Sequence, residues 1–176
     1  MFSPRPRIAF SLALLALLAC WPLPIRTPLP GELLAGEAHG AQAVRAGYRE
    51  VLIRGVPHVK QRPDFCGEAC VEMALRRLGF AVTQDQVFGL TGVDPLLGRG
   101  AVTREMAAAL RRLGFDPGGV WSWIAASGAA HRRGLEQHFA ALHADLGAGI
   151  PSILCTRFDE SPGTTEHFRL VIGYDP

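Results

Sequence analysis

Hydrophobic and polar residues change their period along this chain, and each change predicts an element. From Cys66 the apolar side chains recur at Ala69, Cys70, Met73 and Leu78, a spacing that returns to one helix face. Arg76 and Arg77 fall in the last turn, where cations favour the dipole, and Gly79 closes the helix. In "TQDQVFGLTG", Thr83 and Gln86 stand at capping-box spacing, which predicts a short helix. Thr103 is the expected cap of another, Arg104 to Leu113, again ended by glycine, and "GLEQHFAALHADLGAG" predicts one more, with Leu135, Phe139, Leu142 and Leu146 on one face. The period then changes. "IPSILCTRF" and "HFRLVIGY" are rich in Ile, Leu, Val and Phe and read as strands, while upstream "YREVLIRGVPHV" alternates well enough for a short strand ending near Pro57. Helices come first and strands follow with little alternation, an α+β pattern.

The heptapeptide "ALRRLGF" occurs at Ala74–Phe80 and again at Ala109–Phe115. The segments that follow, "AVTQDQ" and "DPGGVW", do not match, so the repeat reads as two similar helix endings rather than a duplicated unit.

Residues 1–43 look different from the rest. Arg5 and Arg7 precede an apolar run from Ile8 to Trp21, broken by Pro22 and Pro24. The run is shorter than the ~20 residues of a membrane-spanning helix and suits the core of a secretory signal. "LLAC", ending at Cys20, resembles a bacterial lipobox; "AQA", ending at Ala43, is an alternative small-residue cleavage site, and an uncleaved apolar anchor is a third reading. A Pro-, Gly- and Ala-rich linker follows the run. We therefore expect residues 1–43 to be leader and linker, residues 44–176 to be one domain, and that domain to work outside the cytoplasm of a bacterium, secreted, periplasmic or lipid-anchored. Membrane contact is expected only through the leader or its lipid.

Composition changes this picture little. The 176 residues are 48% hydrophobic and 19% charged, as in a globular protein, and the formal net charge of +2 offers no basic surface for nucleic acid. The cysteines matter more. There are four, Cys20, Cys66, Cys70 and Cys155. With Cys20 lost or lipidated, an odd number is left in an oxidising compartment, which makes a reactive thiol a candidate.

Cys66 stands where a helix begins, and free N–H groups and a positive dipole end favour a thiolate there. Gly67 leaves room for a substrate carbonyl, and Gln61, a short loop earlier, is placed to donate an amide N–H to an oxyanion. Of the histidines, His167 has the best setting for a base, because it opens an apolar strand that would hold the ring still. His58, His131, His138 and His143 lack comparable partners, and His39 lies in the linker. Each feature also has a plain structural reading. A lone Cys66 fits a core position, and Cys66 with Cys70 could hold a metal, although no second Cys/His pair at finger spacing accompanies them. Cys70 falls on the apolar stripe and Cys155 inside a strand, so both read as buried.

Taken together, "VPHVKQRPDFCGEACVEMALRRLGF" and "EHFRLVIGYD" resemble the peptidase C39-like group of papain-fold cysteine peptidases. The matching positions are Gln61, Cys66, Gly67, Ala69, Met73, Leu75, Gly79, His167, Phe168, Gly173, Tyr174 and Asp175, spread over roughly Val56 to Asp175. The resemblance implies a papain-like fold in which Cys66 is the nucleophile, His167 the general base and then acid, and Gln61 the oxyanion-hole donor, with no metal or organic cofactor. It implies a peptide or protein substrate. Bacteriocin-processing members of the group carry a transporter on the same chain, and this sequence has none, so their leader-peptide substrate does not transfer.

Such a site needs a third side chain to orient the histidine. Were His167 to Tyr174 one arm of a hairpin, Asp175 would fall in its turn, and an orienting acid would stand roughly 17 positions after His167, beyond Pro176. The fold is therefore expected to be incomplete at the C-terminus, with Asp175 a weak candidate for the third member. A peptidyl or acyl transferase on the same fold and a non-catalytic binding module remain the alternatives.

Overall fold

A computed structural model describes residues 47–176; the leader, the linker and the Cys20 and Ala43 cleavage readings lie outside the described residues. The chain runs through β1 (Val51–Leu52), α1 (Cys66–Arg77), α2 (Gln84–Thr91), a 3-10 turn (Pro95–Leu97), α3 (Thr103–Arg112), α4 (Gly128–Gly147), β2 (Ser152–Arg157), β3 (Glu166–Val171) and β4 (Gly173–Tyr174). This is the α+β order that the periodicity predicts. No helix among the described residues is long and apolar enough to cross a membrane.

Strands β2 and β3 form an antiparallel hairpin in which Thr156 faces His167 and Cys155 faces Phe168. The expected strand His167–Tyr174 is divided at Ile172. Its last part, β4, pairs with β1 instead, Val51 opposite Tyr174, and Ile53 N–H donates to the Ile172 carbonyl at 2.7 Å. The early strand is accordingly shorter than its alternation suggests, because only two residues find a ladder partner and Gly55 turns the chain at φ +72°.

Helix α1 lies against the β2–β3 hairpin and α2, and α3 closes over α2. The shared core holds Val71 and Leu75 from α1, Val87 from α2, Met106 and Leu110 from α3, and Ile153 and Phe168 from the hairpin. Full burial of side chains of this size stabilises by roughly 1.5–3 kcal/mol each. Cys70 and Cys155 belong to the same core. Helix α4 starts earlier than its sequence face suggests and buries only Leu146; Phe139 meets Tyr48 and Tyr174 edge-on, at 4.7 and 4.9 Å between ring centroids, and so fixes the helix to the Val51–Tyr174 end of the β1–β4 pair.

The two "ALRRLGF" segments end their helices identically. Phe80 N–H returns to the Leu75 carbonyl and Phe115 N–H to that of Leu110, each at 2.9 Å, around Gly79 and Gly114 with φ of +88° and +90°. These are Schellman closures, and the two terminal rings meet edge-on at 4.9 Å.

Helix α3 departs from expectation at its start. Thr103 is not the cap. Val102 holds that position, with its N–H bonded to the Glu105 carboxylate at 2.8 Å, while Thr103 is inside the first turn and buried. The reason is local: Arg99 grips Glu105 through two bonds of 2.8 and 2.9 Å and fixes its carboxylate against the Val102 N–H, while the Glu105 N–H bonds the Val102 carbonyl at 2.9 Å.

Candidate active site

Cys66 is the first residue of α1, and the turn before it sets its position. Phe65 N–H bonds back to the Arg62 carbonyl at 3.1 Å, with Pro63 and Asp64 between them and Asp64 at φ +64°. Proline followed by a residue of positive φ is the pattern of a type II turn, which usually takes Gly or Asn where Asp64 stands. Gly100 lies directly against this turn, so close that a Cβ there would sit 1.9 Å from the Asp64 carbonyl oxygen. A glycine is needed for steric reasons alone. Phe65, at the N-cap, has no oxygen to offer the first turn, so no side chain caps the donors beside Cys66. Gly67 lets the Phe168 ring approach, since a Cβ there would meet the ring at 3.0 Å.

Cys66, Gln61 and His167 line one cleft of about 600 Å³, with its walls formed by the Val56–Gln61 segment, one side of α1 and strand β3. Cys66 and His167 are half-buried, and Gln61 is exposed. The His167 ring stands edge-on to Phe158, at 5.2 Å between centroids. Burial, and then the charge of Arg169, lower its pKa below the ordinary histidine value, which favours the neutral ring. Arg169 is itself held by the Arg157 and Phe158 carbonyls at 2.9 and 2.8 Å. Among the described residues no hydrogen bond joins the Cys66 thiol to the His167 ring.

The other thiols have a different character. Burial pushes Cys70 and Cys155 up to about 12, and Cys155 points its sulfur at the Glu166 carboxylate, 3.7 Å away. Among the described residues no three His, Cys, Asp or Glu side chains gather as a metal site requires.

Asp175 is not among the residues that line this cleft. It is exposed and lines a neighbouring groove with Glu50, Leu52 and Tyr174, which meets the cleft at Leu170 and Ile172. Roughly 25 Å of extended chain separate it from His167, counted at the usual rise per strand residue. The residue opposite His167 in the hairpin is Thr156, not an acid. Two other histidines have structural partners: His131 meets the Ala125 carbonyl at 2.6 Å and His143 that of Arg49 at 2.7 Å. His58, to which the sequence reading assigns no partner, lines the same cleft as Cys66.

A family model described as the Peptidase_C39 like family matches residues 53–176. The chain belongs to this family. No curated protein and no solved structure matches it. The Peptidase_C39 like match runs from Ile53 through the cleft-lining residues to the last residue, so the cleft lies wholly inside the family domain.

Several residues that build the cleft escape sequence reasoning. Glu68, fully buried on α1, accepts the Ala101 N–H at 2.8 Å and ties the Gly100 loop to the helix. Glu72 accepts the Gln84 N–H at 2.6 Å and pairs with Arg76 at 2.7 Å. The Glu68–Ala101 and Glu72–Gln84 contacts join residues far apart in sequence, and no local pattern announces them. Gly100 alone carries a signal, a glycine between a charged and an apolar residue in "GRGAV", which can mark a close backbone approach.

Proposed function

We propose that this protein is a cysteine peptidase of the extracytoplasmic space, secreted or held by an N-terminal lipid, that cleaves peptide amide bonds through Cys66. The observation that carries this reading is the common cleft of Gln61, Cys66 and His167, three side chains from a loop, a helix start and a strand. In the reaction the Cys66 sulfur attacks the amide carbonyl. The oxyanion that forms is met by the uncapped N–H groups of α1 and by the Gln61 amide. His167, protonated in taking the thiol proton, returns it to the leaving amine as the C–N bond breaks. The thioester is then hydrolysed by a water that His167 deprotonates.

A second reading, a non-catalytic module of the same family, draws on two observations: Asp175 does not line the cleft that holds His167, and no hydrogen bond joins His167 to Cys66 among the described residues. Turnover of fluorescently labelled casein by the full chain decides between them. Cys66→Ala and His167→Ala should each abolish cleavage, and the double variant should be no worse than either, because residues acting as a unit are not additive. His58→Ala should retain it. Loss on His58→Ala with His167→Ala fully active would move the base to the other cleft histidine, and no casein cleavage by the wild type, together with no thiol-dependent adduct at Cys66, would favour the binding module.

A further inference from the structure

Gln61 is exposed and sits in a loop without regular structure, yet an oxyanion donor is useful only when its position is fixed. The residues on either side of it are fixed, by one side chain. The buried Gln84, at the first position of α2, accepts the Arg62 N–H with its Oε1 at 2.9 Å and donates its Nε2 to the Lys60 carbonyl at 3.1 Å. A carbonyl on one side and an N–H on the other also fix which way the amide faces. Gln84 is in turn held by Glu72 of α1, which accepts its backbone N–H at 2.6 Å. The same helical turn reaches the loop twice more, through Asp85 paired with Arg62 at 2.6 Å and Phe88 stacked on Phe65 at 4.7 Å.

We infer that Gln84 is a positioning residue for the oxyanion site: it clamps the peptide on both sides of Gln61 and sets that side chain relative to Cys66. This rests on the proposed thiol-acylation chemistry and adds a residue to it that does not line the cleft. The clamp is separable from folding. Lys60 and Arg62 are exposed, so water can replace the lost bonds, and alanine is compatible with the first turn of a helix.

The test compares two reactions at Cys66 in the full chain, each followed by mass mapping. With p-nitrophenyl acetate the sulfur attacks the acetyl carbon, an oxyanion forms, and the ester C–O bond breaks to release p-nitrophenolate. With iodoacetamide the sulfur displaces iodide and no oxyanion arises. Gln84→Ala should slow acetylation about ten- to a hundredfold, as a displaced donor does, and leave alkylation of Cys66 unchanged. Gln61→Ala should do the same, and Gln61→Ala/Gln84→Ala should be no slower than Gln61→Ala alone. Three results would overturn the inference: unchanged acetylation in Gln84→Ala, an equal fall in both reactions, or a further fall in the double variant. Failure of the underlying reading looks different, because Gln61→Ala would then acetylate at the wild-type rate, and the clamp would have no oxyanion donor to position.

Discussion

The three described thiols share one chain but not one environment. Cys70 and Cys155 are enclosed by the core, and burial pushes each up to about 12. Cys66 opens a helix on the wall of a cleft, half-exposed, with no side chain capping the donors around it. Thiolate fraction and access together govern alkylation. In the folded protein at pH 7, iodoacetamide should therefore label Cys66 well before Cys70 or Cys155, with the order read by quenching at intervals and mapping the carbamidomethylated peptides. Equal rates at all three would mean that the core opens faster than the cleft reacts, and would remove the main support for a nucleophile at Cys66.

At the scale of elements, α2 is the piece on which the site depends without contributing to it. Its start is a full capping box: the Thr83 hydroxyl accepts the Gln86 N–H at 3.3 Å and the Gln86 side chain accepts the Thr83 N–H at 2.9 Å. Thr83→Ala should lower stability by about 1 kcal/mol, measured as a shift of the urea midpoint at constant slope. Adding Gln86→Ala should add little, since the two residues cap each other. An additive loss would show that the pair does not act as one box. This box was readable from the spacing of Thr83 and Gln86, and so were the helix after Cys66 and the hairpin strands, because each is written in residues close together in sequence. The start of α3 was not, because the helix begins one residue early, with Val102 at the cap position and its N–H held by the Glu105 that Arg99 fixes. Nor was the two-residue β1, whose length is set by β4 at the far end of the chain. The candidate site divides the same way. Cys66, Gln61 and His167 carry motifs, but Gln84, Glu72 and Glu68 act across folded distance and leave no local trace.

For the molecule as a whole, three titratable side chains give stability a dependence on pH from both sides. Arg99, bonded to Glu105, holds that carboxyl near 2, so its contribution is present above the ordinary glutamate value and is lost as pH falls towards 2. His167, lowered by burial and Arg169, also favours the fold above its unfolded value and ceases to do so on acidification. Glu68 acts in the opposite direction. Burial raises it from 4.5, more strongly than the Ala101 N–H and its own backbone lower it, and one of its oxygens is buried without a partner. Its contribution is complete below about 4.5 and declines as pH rises through the folded value, where an ionised carboxylate must stay enclosed. Glu68→Gln keeps an oxygen for the Ala101 N–H and removes the titration. The variant should thus gain on the wild type as pH rises, with the difference between their urea midpoints larger at pH 8 than at pH 5. A difference that is constant across this range would show that Glu68 has the same affinity for its proton in the folded and unfolded chain, and that its tie to the Gly100 loop works as a charged carboxylate rather than a neutral acid.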